Sequence, residues 1–141
     1  MRPSAEFSLS QEETASLIAE RFPELAPVRL SVFGEGWDNV AWLVNGEFIF
    51  RFPRRQMGAD CMQGELAVLP HLAGRLPLEI PQPVFVSDPS GEFPWPFAGY
   101  RMLPGTPADE LRLSMKSREF LAASLGGFLQ TLHSISVDEA Q

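Results

Sequence analysis

Two glycines, a hairpin turn and one arginine carry the chemistry this sequence could do. Gly34 and Gly36 sit at the end of an apolar alternation through Val28, Leu30 and Val32. A second alternation leads to Asn45-Gly46, the strongest short-range hairpin signal a sequence can hold. The returning strand, Glu47 to Phe52, is apolar on both faces except for the cation Arg51. A glycine turn over a tight hairpin that ends in a half-buried guanidinium suits a polyphosphate, because arginine presents a fork of donors to phosphate oxygens.

Strand parity decides which side chains share a face. With Asn45-Gly46 as a two-residue turn, Val44 pairs with Glu47, Trp42 with Ile49 and Val40 with Arg51. Val40, Ile49 and Arg51 then lie on one surface, where a flat base fits over Val40 and Ile49 with its phosphates at Arg51. Phe48, Phe50 and Phe52 point to the other side and read as core, packing under the helix. A buried charge without a partner is costly, so Arg51 requires an anion. Glu65 is the natural one. It shares a helical face with Met62, Leu69 and Leu72, and a carboxylate on such a buried stripe usually answers a cation.

The elements that must position these groups follow from spacing. Ser10 to Glu13 reads as a capping box, and Ala15, Leu17, Ile18, Ala19 and Phe22 give an amphipathic helix that Pro23 ends. A strand runs from Val28 to Gly34, followed by the hairpin at Asn39–Val44 and Glu47–Phe52. Gly58 to Leu76 is helical by period, with a kink expected at Pro70. Short strands are expected at Val84–Val86 and Phe97–Leu103, then a short helix near Ala108–Leu113 and a longer one over Ser117–Ile135, whose seam is Leu121, Leu125, Phe128, Leu132 and Ile135. Helix, three strands, helix, two strands, then helices describe an α+β layout with a five-stranded, mainly antiparallel sheet.

Composition narrows the partners. At 141 residues with 45% hydrophobic content, the chain can bury a core. A net charge of −7 argues against nucleic acid or an anionic membrane. Lys116 is the sole lysine, so an anion site in the first hundred residues must use arginine or backbone amides. Cys61 is the sole cysteine, which excludes an internal disulfide and suggests a reducing compartment. No apolar run reaches the ~20 residues of a membrane span and no signal-peptide pattern is present, so a cytoplasmic location is expected.

Several segments together resemble the N-terminal lobe of the aminoglycoside phosphotransferase family, which has a protein-kinase-like fold. They are Gly34-Glu-Gly-Trp-Asp-Asn-Val40, Phe48-Ile-Phe-Arg-Phe-Pro-Arg54, Glu65 to Ala73, Ile80-Pro-Gln-Pro-Val84 and Gly99-Tyr-Arg-Met-Leu-Pro-Gly105. Leu129 to Ile135 is similar to the end of the helix before that family's catalytic loop. The resemblance implies that Gly34, Gly36, Trp37, Asp38 and Asn39 form a nucleotide-positioning loop. It implies that Arg51 meets the α- and β-phosphates of ATP or GTP and that Glu65 orients it. Tyr100 would stand behind the adenine, with the Arg101 carbonyl and the Leu103 amide bonding its edge.

The family's chemistry lies further on, in a His-Gly-Asp-like run with an Asn, followed by an Asp that holds magnesium. Here the aspartates stand at 38, 60, 88, 109 and 138, none in such a context, and His133 is followed by Ser134-Ile135. The expectation is therefore a nucleotide-binding lobe over residues 1–104 and the start of a helical second lobe over 105–141. It would have no catalytic or metal-holding residues, no turnover alone, and Mg²⁺ only with a complete second lobe. In the full-length family a small-molecule hydroxyl is the acceptor, aminoglycoside antibiotics among the candidates. A second reading is a non-catalytic interaction module that dimerises through exposed apolar surface. Among the lesser residues, Trp37 reads as a ligand-facing aromatic or as a lid over the sheet. Asp38 reads as a turn cap, Arg54-Arg55 as a solvated basic pair, and Cys61 as packing.

Overall fold

Local signals set the elements of the chain, seen here in a computed structural model that describes residues 4–136; Asp138 and the outermost residues of both expected regions lie outside that range. Helix α1 spans Gln11–Arg21 and opens on the expected capping box. The Ser10 hydroxyl accepts from the Glu13 amide at 3.2 Å, and Glu13 Oε2 accepts from the Ser10 amide at 2.7 Å. Strands β1 (Leu30–Glu35), β2 (Asn39–Val44) and β3 (Phe48–Pro53) follow, then α2 (Gln56–Leu72), β4 (Pro83–Ser87), β5 (Phe97–Arg101) and α3 (Met115–Ser134). Short 3₁₀ turns lie at Pro23–Leu25 and at Ala108–Glu110, where a helical turn was expected. The five strands form one sheet in the order β1-β2-β3-β5-β4, with every neighbouring pair antiparallel.

The central hairpin corrects the expected register by one residue. Asn45 and Gly46 do take positive φ, 54° and 73°, and the Glu47 amide donates to the Val44 carbonyl at 3.1 Å. The ladder, however, engages at Val44↔Phe48, Leu43↔Ile49, Trp42↔Phe50, Ala41↔Arg51 and Val40↔Phe52. A one-residue slip sends a whole strand's side chains to the opposite face, so burial chooses the register. The observed one puts Trp42 and Val44 beside the three phenylalanines. The expected one would have left them on the face of Arg51. Glu47 is displaced into the loop, where its carbonyl accepts from the Met102 amide at 2.9 Å and its carboxylate pairs with Arg101.

The aromatic core therefore lies on one face of the sheet, under α1. Phe50, Phe52, Phe93 and Phe97 are fully enclosed there with Leu17, Ile18, Trp42 and Val44. Phe52 stacks on Phe97 at 4.4 Å between centroids, and Phe22 meets Phe50 at 5.8 Å. The three phenylalanines of β3 do pack as core, but beneath α1 more than beneath α2. Helix α2 covers the opposite face with its own small cluster, Met62 against Ala98 and Tyr100, flanked by Leu66 and Leu69.

Helix α2 is shifted from the expected Gly58–Leu76. It ends at Leu72, with Pro70 in its last turn, the Ala73 amide on the Pro70 carbonyl and Gly74 at φ 69°. A glycine in the left-handed region stops a helix because it satisfies trailing carbonyls without strain. Its N-terminus starts two residues early because a distant acid receives it: Glu6 Oε2 accepts from the Gln56 amide at 3.0 Å.

Candidate functional site

Arg51 and Glu65 meet as the sequence requires. Arg51 leaves β3 on the face covered by α2, and its Nη1 donates to both oxygens of Glu65, at 2.6 and 2.9 Å. The side chains retain 33% and 26% of their exposure, so the pair is sheltered yet open to a ligand. The guanidinium also lies 5.8 Å from the centroid of the Tyr100 ring, within cation–π range. Tyr100 itself is buried, with its hydroxyl lacking a hydrogen-bond partner. Burial, and then the Glu65 carboxylate, push its phenol well above the ordinary value, so it stays neutral.

The register creates space beside Arg51. Across the sheet its neighbours are Ala41 on β2 and Ala98 on β5, and Gly34 stands opposite Ala41 on β1. A Cβ at Gly34 would meet nothing within 4 Å. Three small residues thus flank one cation in a row; Ala98 is covered by Met62, while Gly34 and Ala41 leave the β2 side uncrowded. Next to that row a cavity of ≈ 230 Å³ is lined by Phe33, Ile49, Arg51, Tyr100, Met102 and Leu103. Its walls are mainly apolar, suited to a flat ring, with Arg51 and Arg101 among the residues that line it. At β5 the Met102 amide is taken by Glu47, so strand alternation turns the carbonyl of Arg101 away from β3.

The loop between β1 and β2 is fastened from behind. Within it, the Gly36 amide donates to the Asn39 carbonyl at 2.9 Å. Arg54 donates its amide to the Asp38 carbonyl at 2.8 Å and its Nη1 to the Gly36 carbonyl at 3.0 Å, and it pairs with Glu35 at 2.7 Å. Arg55 pairs with Asp38, its Nε donating to Oδ1 at 3.1 Å. The arginine pair expected to be solvated is a clamp, and the Asp38 carboxylate is held by Arg55 rather than capping its own turn. Trp37 is 62% exposed at the loop tip. Cys61 is exposed and contributes nothing to packing.

Of the residues singled out by sequence, the structure brings Ile49, Arg51, Tyr100, Arg101 and Leu103 to one cavity and sets Glu65 on Arg51. Gly34 joins by register; Gly36, Trp37, Asp38 and Asn39 form the adjoining loop. Val40 does not share that face. It pairs with Phe52 and packs against the aromatic core, because the slipped register turns it there. Ala41 takes the place opposite Arg51 that Val40 was expected to hold. Ala41, Ala98 and Phe33 were missed. The signal for the first two was their small size in otherwise bulky strands, readable only with the correct register. Among the described residues no three of His, Cys, Asp and Glu come together to hold a metal ion. No helix there is long and apolar enough to cross a membrane.

A five-stranded antiparallel sheet, with a helix delivering a carboxylate to a strand arginine, defines the class as an α+β lobe of the protein-kinase-like kind. The profile of the Phosphotransferase enzyme family matches residues 29–141, and the chain belongs to that family. Among solved structures, a GDP and kanamycin complex of APH(2")-IIia superposes with a TM-score of 0.83 at 34% identity, covering 92% of this chain and 44% of that one. The GDP complex of wild-type aminoglycoside 2'-phosphotransferase-IIIa gives 0.85 at 31%, covering 94% and 44%. The macrolide 2'-phosphotransferase MphH from Brachybacterium faecium shares the fold, with a TM-score of 0.68 at 23% identity over 92% and 45% of the two chains. The chain spans less than half the length of these relatives. None of the curated protein sequences compared with it matched.

Proposed function

We propose that this chain is the nucleotide-holding lobe of a small-molecule phosphotransferase, binding ATP or GTP without transferring phosphate by itself. The observation that carries the reading is the Arg51–Glu65 pair at 2.6 Å on the wall of an apolar cavity, flanked by Ala41, Ala98 and Gly34. Arg51 would take the α- and β-phosphates, with Glu65 fixing its rotamer so that little side-chain freedom is lost on binding. The base would lie against Ile49 and Phe33, with Tyr100 behind it and its edge on the Arg101 carbonyl and Leu103 amide. The glycine loop, Gly34 to Asn39, would close over the phosphates.

Solved relatives above 30% identity bind GDP, which supports a purine nucleotide here. The acceptor would be a hydroxyl of a small molecule, an aminoglycoside among the candidates because one of those relatives carries kanamycin. Residues 1–104 would form the nucleotide lobe and 105–141 the entry to a helical one. Neither a base for the acceptor hydroxyl nor carboxylates for Mg²⁺ stand in a recognisable run in these 141 residues, so transfer requires further residues. Calorimetric titration with ATP and GTP tests the reading. Binding that Arg51→Ala weakens supports it; no binding of either nucleotide overturns it.

One observation favours a second reading, that of an interaction module. Helix α3 has no buried residue, and Phe120, Leu121, Leu125 and Leu129 are exposed along it. An apolar helix face of this kind takes a partner, a second copy being the simplest.

A further inference from the structure

We infer that Arg54 and Arg55 are positioning residues for the nucleotide site, holding the Glu35–Asn39 loop in its phosphate-receiving shape before a ligand arrives. The inference rests on the nucleotide reading above and assigns it a pair of residues that make no ligand contact themselves. The loop is short and its outer residue, Trp37, stands in solvent, so its own bonds do little to fix it. Within it, the Gly36 amide donates to the Asn39 carbonyl. The ladder holds its two ends, Glu35 against Val40 and Asn39 against Pro53, and its side-chain anchors come from the junction of β3 and α2. Arg54 reaches the carbonyls of Gly36 and Asp38 and the carboxylate of Glu35, while Arg55 holds the carboxylate of Asp38.

A third contact fits the helix against the loop from the same side. At Gly58, in the first turn of α2, a Cβ would collide with the Asp38 carbonyl oxygen. Only glycine lets the helix approach this closely. The junction begins three residues after Arg51, and the helix it starts carries Glu65. One continuous segment therefore sets the loop, the phosphate cation and the acid that orients it. The loop's conformational freedom is removed in advance, and that cost is not charged against phosphate binding. Both arginine side chains are mostly sheltered, at 18% and 23% exposure, so their ion pairs are less screened than surface ones.

The test compares a nucleoside triphosphate with its parent nucleoside, because a loop that receives phosphates affects only the first. Arg55→Ala and Gly58→Ala loosen the loop from two independent contacts. Each is expected to weaken ATP or GTP binding about tenfold, within the usual range of coupling between sites, while nucleoside affinity by NMR titration stays at the wild-type value; Gly58→Ala should lower the melting temperature as well, because its Cβ meets backbone that has to shift. Where Arg55→Ala does not fold, Arg55→Lys keeps the charge, loses the fork and should show the same selective loss. Triphosphate affinity unchanged in these variants overturns the inference. So does a parallel loss for triphosphate and nucleoside, which would make the arginines general supports of the lobe. Arg51→Ala separates the two levels: if it leaves triphosphate binding intact, the nucleotide reading has failed; if it weakens binding and Arg55→Ala does not, only the loop inference has.

Discussion

Arg51 is held by two unlike neighbours, the Glu65 carboxylate and the face of Tyr100, and the proposed nucleotide site turns on it. Hydrogen bonds to charged groups are each worth about 1.5–3 kcal/mol, so Arg51→Ala should weaken nucleoside triphosphate binding about ten- to 150-fold by calorimetry. Tyr100 offers a different experiment. Its hydroxyl is buried without a hydrogen-bond partner, so Tyr100→Phe removes a desolvated group that returns nothing. Urea denaturation should show stability unchanged or raised by up to about 1 kcal/mol. The pH dependence has a definite sign. In the unfolded chain this phenol ionises near 10.0, while in the fold it ionises higher. The folded state therefore holds more protons between those values, and stability falls as pH rises above about 10. Tyr100→Phe should flatten that fall.

Among the elements, β5 tolerates little change. A Cβ at Gly99 would lie 2.5 Å from the ring of Phe50, which is fully buried and cannot move aside. Gly99→Ala should destabilise the lobe by about 1–3 kcal/mol in a denaturant titration, as other overpacked cores do. Element types and their order were legible in the sequence because capping box, alternation and helical period are local patterns. The hairpin register was not. Asn45-Gly46 named the turn, but the pairing of Val44 with Phe48 depends on which face buries Trp42, a question settled by the whole sheet. Val40 was misplaced for that reason and Ala41 overlooked. The pairing of Arg51 with Glu65 was readable because a charge on an apolar strand and an acid on an apolar helix stripe each need an answer. The clamp by Arg54 and Arg55 was not, since its partners lie in a loop whose path no periodicity describes.

At the scale of the whole molecule, the two faces of the sheet divide the work: aromatic packing on one, the open cleft on the other. Helix α3 belongs to neither, and Phe120 at 73% and Leu125 at 55% exposure leave it with apolar area and no enclosing partner among the described residues. Sedimentation velocity should show concentration-dependent self-association, and the double change Phe120→Glu and Leu125→Glu should return the mass to that of a monomer. A monomeric wild-type chain at all concentrations would end the module reading.

Kinship and cooperativity draw different borders here. The family profile begins at residue 29, yet an acid at position 6 completes the first turn of the helix that bears Glu65, and Leu17, Ile18 and Phe22 roof the rings of β3. A version shaved back to residue 29 would keep every residue proposed to touch nucleotide and lose the means of standing upright.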